Sequence, residues 1–272
     1  MKSRIAEALN LNTHPVVLSW AENAPEGSLH FKPGTWGCVM SLIASVAAKG
    51  KTAAFGRETY GCWGGGVGLG FGNQYEAFPG GVDCFCRFLS DGNEKTPKGR
   101  AMGEAMKQGG GARLAPDFLL GERYINNPET TQRFLDSLPM IDIGGKFVVA
   151  QPIENVNLNS DELKSVTFFV EPDALSALVI LANHTRPEIE NVGVPWAAGC
   201  QVMGIYGYEE LKRDCPRALI GMTDISARKN TRALLGKHVM SFTAPWKMFL
   251  EMESHVDGSF FERETWHALT HA

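Results

Sequence analysis

The sequence predicts a single compact domain of the α/β or α+β class, and three observations support this prediction. Short runs of β-branched and aromatic residues alternate with segments whose apolar residues recur at helical spacing. The chain has 272 residues, 44% of them apolar and 21% charged, which is enough to bury one sizeable core. No low-complexity linker or charge block divides it, so one domain over residues 1–272 is the simplest organisation.

The N-terminal part predicts a helix, a strand, a second helix and a second strand. Apolar periodicity indicates helices over 3–9 and 38–49, and the runs PVVLSW and TAAFG indicate strands. The next segment, TYGCWGGGVGLGFG, contains Cys62 and a dense run of glycines. Glycine permits positive φ and close approach of the backbone, so this segment is predicted to be a glycine-rich loop.

The middle of the chain predicts a helical insertion over about 97–140. PKGRAMGEAMKQ and PETTQRFLDSLP have helical spacing, and the second has an early proline and ends at Pro139. Strands then return as KFVVAQPI and SVTFFVEP, and PDALSALVILAN indicates the helix that follows. The order of elements is therefore mixed α and β.

A weak internal repeat relates about 15–72 to about 165–235. Each copy runs strand, Gly-Cys, helix, strand and glycine, with Cys38 matching Cys200. The repeat predicts two related halves around a mixed sheet, with these two cysteines at equivalent helix starts on either side of a pseudo-two-fold axis.

The two copies differ after the second strand. The glycines Gly56 and Gly221 are 165 residues apart, and on this offset Cys62 falls on Ala227. The second half therefore lacks the glycine run, and any site on the axis is expected to be asymmetric.

Three of the six cysteines stand where metal ligation is chemically favoured. Cys38 and Cys200 begin predicted helices, whose unpaired amide N–H groups favour a thiolate and lower its pKa. Cys62 precedes the glycine run. Thiolates are the ligands that soft metals and iron-sulfur clusters prefer, and nearby backbone donors stabilise the sulfurs. Free cysteine is also among the most buried residue types, so purely structural cysteines stay an open alternative.

The segment VDCFCRF offers a fourth ligand. On a strand Cys84 and Cys86 would point to the same face, and Cys86 is the candidate we favour. A buried, unreactive pair is the alternative.

A second hypothesis needs no metal. Polar residues after a strand lie where open α/β sheets bind ligands, which makes Asp224 and Arg228 candidate substrate contacts. The glycine run fits neither the dinucleotide fingerprint nor the phosphate-binding P-loop, but bare amides can still hold an anion. An N-cap with a surface salt bridge is the structural alternative for Asp224. The candidate residues of an anion cradle are Trp63, Gly64, Gly65, Gly66, Asp224 and Arg228.

Composition excludes two classes of partner. The formal net charge is −4 and the charges are mixed along the chain, so no basic face is expected for nucleic acid. No apolar run approaches the roughly 18–20 residues of a membrane span, and no secretory signal is recognisable. The chain is expected in the cytoplasm, where cysteines are thiols or metal ligands rather than disulfides.

Six blocks of the sequence resemble one known family. They are GCWGGGVGLGF, EPDALSALVILAN, AAGCQ, PRALIGMTDISAR, SFTAPWKMFLEME and GSFFERETW, spread over about 12–268. Together they resemble the domain of unknown function 169 family, which is largely found in anaerobic bacteria and archaea and is essentially uncharacterised. The resemblance implies cysteines at the positions of Cys38, Cys62 and Cys200. Trp63 stands where the family usually has proline, which alters the loop or sets an aromatic ring beside the second cysteine.

The leading hypothesis is an iron-sulfur protein in which Cys38, Cys62 and Cys200 hold the cluster. Cys86 is the fourth ligand, or the fourth iron stays open to a small-molecule substrate. A closed ligand set favours electron transfer to a redox partner. The alternative is a metal-free protein that binds an anionic small molecule and whose cysteines are structural.

Overall fold

The fold is organised around a seven-stranded mixed sheet. The computed structural model describes residues 2–108, 111–158 and 160–270. Its strands are β1 (Val16–Ala21), β2 (Ala53–Gly56), β3 (Phe147–Pro152), β4 (Leu163–Val170), β5 (Val192–Gly193), β6 (Ala218–Gly221) and β7 (Met240–Pro245). They lie in the order β2-β3-β1-β4-β7-β6-β5. Among these strands β5 pairs with β6 in parallel and the other pairs are antiparallel, which confirms a mixed α/β fold.

Helices precede, follow and connect the strands. They are α1 (Arg4–Ala8), α2 (Val39–Lys49), α3 (Trp63–Leu69), α4 (Val82–Leu89), α5 (Pro97–Gln108), α6 (Ala115–Leu120), α7 (Pro128–Ser137), α8 (Pro172–Asn183), α9 (Gly199–Gln201), α10 (Gly207–Leu211), α11 (Ile225–Leu235), α12 (Trp246–Ser254) and α13 (Glu264–Thr270). A π-helical segment, Val202–Tyr206, joins α9 to α10. Within the described residues, no helix is both long enough and apolar enough to cross a bilayer.

The two faces of the sheet carry separate cores because side chains alternate along each strand. In β1, Val16 and Leu18 contribute to one core, and Val17 contributes to the other. The first core is covered by α2, α11 and the helix that contains Cys200. The second core is covered by α1, α8, α12 and α13.

A third core includes the segment predicted as an insertion, about 97–140, together with α4. Helices α4 to α7 pack their apolar residues together, and Val67 of α3 and Ile205 of the π-helical segment join them. The VDCFCRF segment is helix α4 and not a strand, so the strand geometry considered for it is wrong. Cys84 and Cys86, two residues apart on a helix, do not share a face.

The sheet has a two-fold arrangement about its centre. Strands β1, β3 and β2 are neighbours in that order on one side, and β4, β7 and β6 repeat the order on the other. Strands β1 and β4 are paired antiparallel at the middle. Helix α2 lies between β1 and β2 in the chain, and the helix of residues 199–211 lies between β4 and β6. Two related halves would give this arrangement, while their origin by duplication stays a prediction.

The helix starts revise the predicted match between the two halves. Helix α3 follows β2 and has Cys62 as its N-cap, and helix α11 follows β6 and has Asp224 as its N-cap. By structure Cys62 therefore corresponds to Asp224 and not to Ala227. An acidic side chain occupies the same helix-start position in both halves.

Candidate functional site

Cys38 stands at the N-terminus of α2. Its backbone is extended, with φ −73° and ψ 121°, and the helix begins with the next residue. The amides of Met40 and Ser41 lie close enough to the sulfur to favour its thiolate. The predicted helix start is thus confirmed.

Cys62 caps α3. Its sulfur accepts a hydrogen bond from the amide of Gly65 at 3.3 Å. The amide of Val39, in the first turn of α2, also favours the thiolate of Cys62. The sulfur therefore lies between two helix N-termini that belong to different elements.

In the glycine run, Gly70 and Gly72 have the expected positive φ, 92° and 74°. The first four glycines, Gly64, Gly65, Gly66 and Gly68, are helical residues of α3 and do not form a loop. Their use is close packing rather than positive φ. A Cβ at Gly65 would lie 2.2 Å from Val39 Cγ2, and one at Gly68 would lie 2.9 Å from the amide nitrogen of Gln201. Helix α3 can therefore approach both α2 and α9, which brings their cysteines to its N-terminal half.

Cys200 is buried in the first turn of α9. Its Sγ donates to the carbonyl oxygen of Gly64 at 3.6 Å. The π-helical segment that follows also contacts α3, since a Cβ at Gly204 would lie 2.0 Å from the carbonyl oxygen of Gly68. Such π segments occur frequently at functional sites.

Burial controls the protonation of the three thiols. Burial, and after it the nearby Cys62, raises the pKa of Cys38 from 9.0 to about 12. The pKa values of Cys62 and Cys200 are also raised, first by burial, and for Cys200 next by the charges of the other two thiols. The expected lowering of the pKa at a helix N-terminus is therefore wrong for the metal-free chain. In this chain desolvation outweighs the helix dipole.

Asp224 lies beside the thiols. Its Oδ1 accepts from the amide of Gly199 at 2.9 Å and its Oδ2 from that of Ala227 at 3.0 Å. Burial raises the pKa of Asp224 although these hydrogen bonds oppose the change. Its charge in turn raises the pKa of all three thiols. Met222, two residues earlier, has a φ of 63°, a strained backbone of the kind found near functional sites.

One cavity of about 900 Å³ joins these groups. The three cysteines and Asp224 lie in its lining, and so do Trp63 and Gly64. Trp63 packs edge-on against Phe78, with ring centroids 4.9 Å apart. The volume and the largely apolar lining, which includes several aromatic rings, match those of ligand-binding pockets.

A second part of the lining combines residues of the segment between α6 and α7 with Ser226 of α11. Ser226, in the first turn of α11, donates its hydroxyl to Glu122 Oε1 at 2.5 Å. The hydroxyl of Tyr124 lies 3.0 Å from Ser226 Oγ and accepts from the amide of Ser226 at 3.1 Å. Burial raises the pKa of Glu122 to about 7. Glu122, Tyr124 and Ser226 all line the cavity.

Comparison with known proteins places the chain in a family. The family model of DUF169, described as uncharacterised ArCR, matches residues 4–255. The chain belongs to the DUF169 family. The resemblance drawn from the six sequence blocks is thereby confirmed. No curated protein and no solved structure matches this DUF169 chain.

Four predicted site residues of the DUF169 chain lie outside the cavity lining: Gly65 and Gly66, which are buried in α3, and Cys86 and Arg228. Cys86 is buried in the insertion core, with its Sγ 3.6 Å from Gln132 Oε1. The guanidinium of Arg228 donates to the carbonyl oxygens of Val239 and Lys237 at 3.0 and 2.7 Å. Neither side chain is among the groups that line the cavity.

The thiols are not spaced for a single ion. No group of three or more His, Cys, Asp or Glu side chains in the described part of this DUF169 chain has the arrangement of a metal-ion site. Cys38, Cys62 and Cys200 nevertheless line the same cavity and influence one another electrostatically.

Sequence reasoning missed Glu122 and Tyr124. They lie between α6 and α7, in an irregular segment with no hydrophobic period that could have marked them. Backbone hydrogen bonds from Glu122 to Phe88 and from Tyr124 to Leu89 hold this segment against the end of α4. The raised pKa of Glu122 depends on this packing and has no counterpart in the sequence.

Proposed function

We propose that this DUF169 protein binds an iron-sulfur cluster through Cys38, Cys62 and Cys200. The main support for this proposal is that three thiols from three helix starts lie in the lining of one cavity. The amides of Met40, Ser41 and Gly65 add hydrogen-bond donors toward the sulfurs. Donors of this kind stabilise cluster thiolates and tune their reduction potential.

The charges favour a cationic centre over an anion. Cys38, Cys62, Cys200 and Asp224 are all acids, and each thiol's pKa is raised by at least one of the others. Metal ions bound to thiols deprotonate them and compensate their charge. A bound anion would add a further negative charge to the same wall.

The spacing of the thiols suits a cluster better than one ion. A single tetrahedral ion holds each sulfur about 2.3 Å from the same metal, so its ligands crowd together. In a cluster each thiolate binds a different iron, which lets the sulfurs stand farther apart. The three cysteines come from separate helix starts, which supports a cluster over a single ion.

We assign Asp224, rather than Cys86, as the side chain that would complete the ligand set. It is the counterpart of Cys62 in the second half and lies beside the three thiols, while Cys86 belongs to the insertion core. A carboxylate holds a soft metal less firmly than a thiolate does. The fourth iron is therefore the one that a small molecule in the cavity would reach, as a Lewis acid or redox centre.

Anaerobic purification tests the cluster. We expect a coloured protein with about four irons and as many labile sulfides per chain. Cys62→Ser is expected to lose the visible absorbance and most of the iron, because it removes the thiolate that lies between two helix starts.

Cys215→Ser is the matched control, since Cys215 is exposed and lies outside the cavity lining. It is expected to keep the full iron content. A colourless protein without iron or sulfide after anaerobic preparation would refute the proposal. Unchanged iron in Cys62→Ser would remove that residue from the ligand set.

A metal-free binding protein is the second candidate, because the cavity by itself has the size and lining of a ligand site. Its anion-binding form is less favoured. Arg228, the base assigned to that role, is engaged with backbone carbonyls away from the cavity.

A further inference from the structure

The cavity has a second polar centre that the cysteines do not explain. Glu122 lies on the wall supplied by the insertion and accepts a hydrogen bond from Ser226. Because the Ser226 hydroxyl donates to Glu122, the Tyr124 hydroxyl can donate to Ser226 Oγ. In this series of hydrogen bonds, both hydroxyl protons point toward the carboxylate of Glu122. Its remaining acceptor capacity is directed to whatever occupies the cavity.

Aromatic rings surround this centre. Tyr124 lies edge-on to Trp196 with ring centroids 6.3 Å apart, and Phe134 packs against Trp196 at 4.8 Å. All three side chains line the cavity. A carboxylate beside several aromatic faces is the chemistry that recognises an organic cation, through charge pairing and cation–π attraction.

Among the described residues, the ionisable side chains in the buried part of the cavity lining are acids. The ionisable groups within it are Glu122, Asp224, two tyrosines and the three thiols. Its basic residues, Arg113 and Lys229, are exposed at the rim together with Asp117, where water screens their charge. Asp117 and Asp224 oppose the ionisation of Glu122, whereas Lys229 favours it.

We infer that the aromatic half of the cavity binds a ligand with a protonated amine on an aromatic or apolar body, and that Glu122 is its counter-ion. This claim needs no metal and involves none of the thiols. It also distinguishes this cavity from an anion-binding site, because a bound anion would lie beside the negative charge of Glu122.

A matched set of three small ligands tests the inference. Phenethylamine, 2-phenylethanol and 3-phenylpropionate share one aromatic ring and differ in charge. Their binding to the full chain can be measured by ligand-observed NMR. At about pH 8, where Glu122 is ionised, we expect the amine to bind at least about tenfold more tightly than the carboxylate, with the alcohol between them.

The pH dependence follows from the raised pKa of Glu122, about 7. At about pH 5.5 the carboxyl group is protonated and the amine keeps its charge, so amine binding is expected to weaken by about tenfold or more. The alcohol, which is neutral throughout, is expected to change little.

Glu122→Gln keeps the shape of the side chain and removes its charge. It is expected to abolish both the preference for the amine and its pH dependence, while leaving binding of the alcohol intact. Glu129→Gln is the control, because Glu129 is exposed on the same insertion and does not line the cavity. Equal or tighter binding of the carboxylate, or a retained preference in Glu122→Gln, would overturn the inference. Because binding is measured without reference to iron, a chain that lacks iron but binds the amine refutes the cluster proposal alone.

Discussion

At the scale of single residues, burial and helix N-termini act on Cys38 in opposite directions. The amides of Met40 and Ser41 favour its thiolate, but desolvation and the neighbouring Cys62 raise its pKa to about 12. A helix N-terminus contributes a fraction of a unit charge at the surface, whereas removing a thiolate from water costs more. The Cys38 thiol is therefore neutral near neutral pH.

This balance predicts slow, pH-dependent alkylation of Cys38 in the metal-free chain. A thiol of pKa 9.0 is about one-tenth ionised at about pH 8, whereas Cys38, with a pKa of about 12, is ionised in about one molecule in ten thousand. Iodoacetamide labelling followed by peptide mass spectrometry should show the exposed Cys215 modified first. Labelling of Cys38 should rise about tenfold per pH unit in the folded chain. Equal rates for the two cysteines at about pH 8 would contradict the assigned burial.

At the scale of elements, α3 decides whether the cysteines meet. Four of its seven residues are glycine, the residue with the lowest helix propensity apart from proline. The helix forms because tertiary packing compensates that weakness. A Cβ at Gly65 would clash with Val39 of α2, and one at Gly68 would clash with the backbone of α9.

Gly65→Ala is expected to push α3 away from α2, because the new Cβ would lie 2.2 Å from Val39 Cγ2. Overpacking of this kind costs about 1–3 kcal/mol of unfolding free energy, measurable by urea denaturation. The amount of bound iron is expected to fall as well, since Cys62 moves with the helix.

Gly144→Ala is the control for that change. An added Cβ at Gly144 meets no atom within 4 Å, so stability and iron content should both be close to those of the parent chain. Full iron content and full stability in Gly65→Ala would show that α3 need not approach α2 this closely.

At the scale of the whole molecule, the sheet separates the cavity from a second core that stabilises the chain ends. Glu253 of α12 is buried there. It accepts hydrogen bonds from the Ser3 hydroxyl, from the amide of Arg4 at 2.9 Å and from that of Ile5 at 3.3 Å. One carboxylate thus binds the first helix to a helix near the other end of the chain.

Glu253→Ala is expected to destabilise the fold by about 2–3 kcal/mol, because several buried donors lose a charged acceptor. Iron bound per folded chain should not change, since the substitution lies on the face of the sheet opposite the cavity. Thermal unfolding and iron analysis on the same sample measure both effects. Glu26→Ala, at an exposed loop position, controls for the loss of one acidic group. A parallel loss of iron would mean that the two faces are coupled.

Sequence reasoning succeeded for elements that local interactions determine, and it failed for elements that long-range packing determines. The predicted helices ending at Lys49 and Asn183 and the strands beginning near Val16 and Phe147 are confirmed within a few residues. Their signals are periodicity and caps, which are local. The errors arose at α3 and α4, where glycine and two closely spaced cysteines suggested a loop and a strand. Packing between helices overrode both local signals.

The sequence by itself determined the mixed α/β class, the helix starts near Cys38 and Cys200, and membership of the DUF169 family. These depend on short segments, whose hydrogen bonds and apolar periods are encoded by neighbouring residues. Only the tertiary structure decided which acids share a cavity, how their pKa values shift, and that Glu122 lines the same cavity. The hydrogen bond from Cys200 to Gly64 joins residues 136 positions apart. Contacts and burial at that range are products of the folded chain, and a local pattern does not contain them.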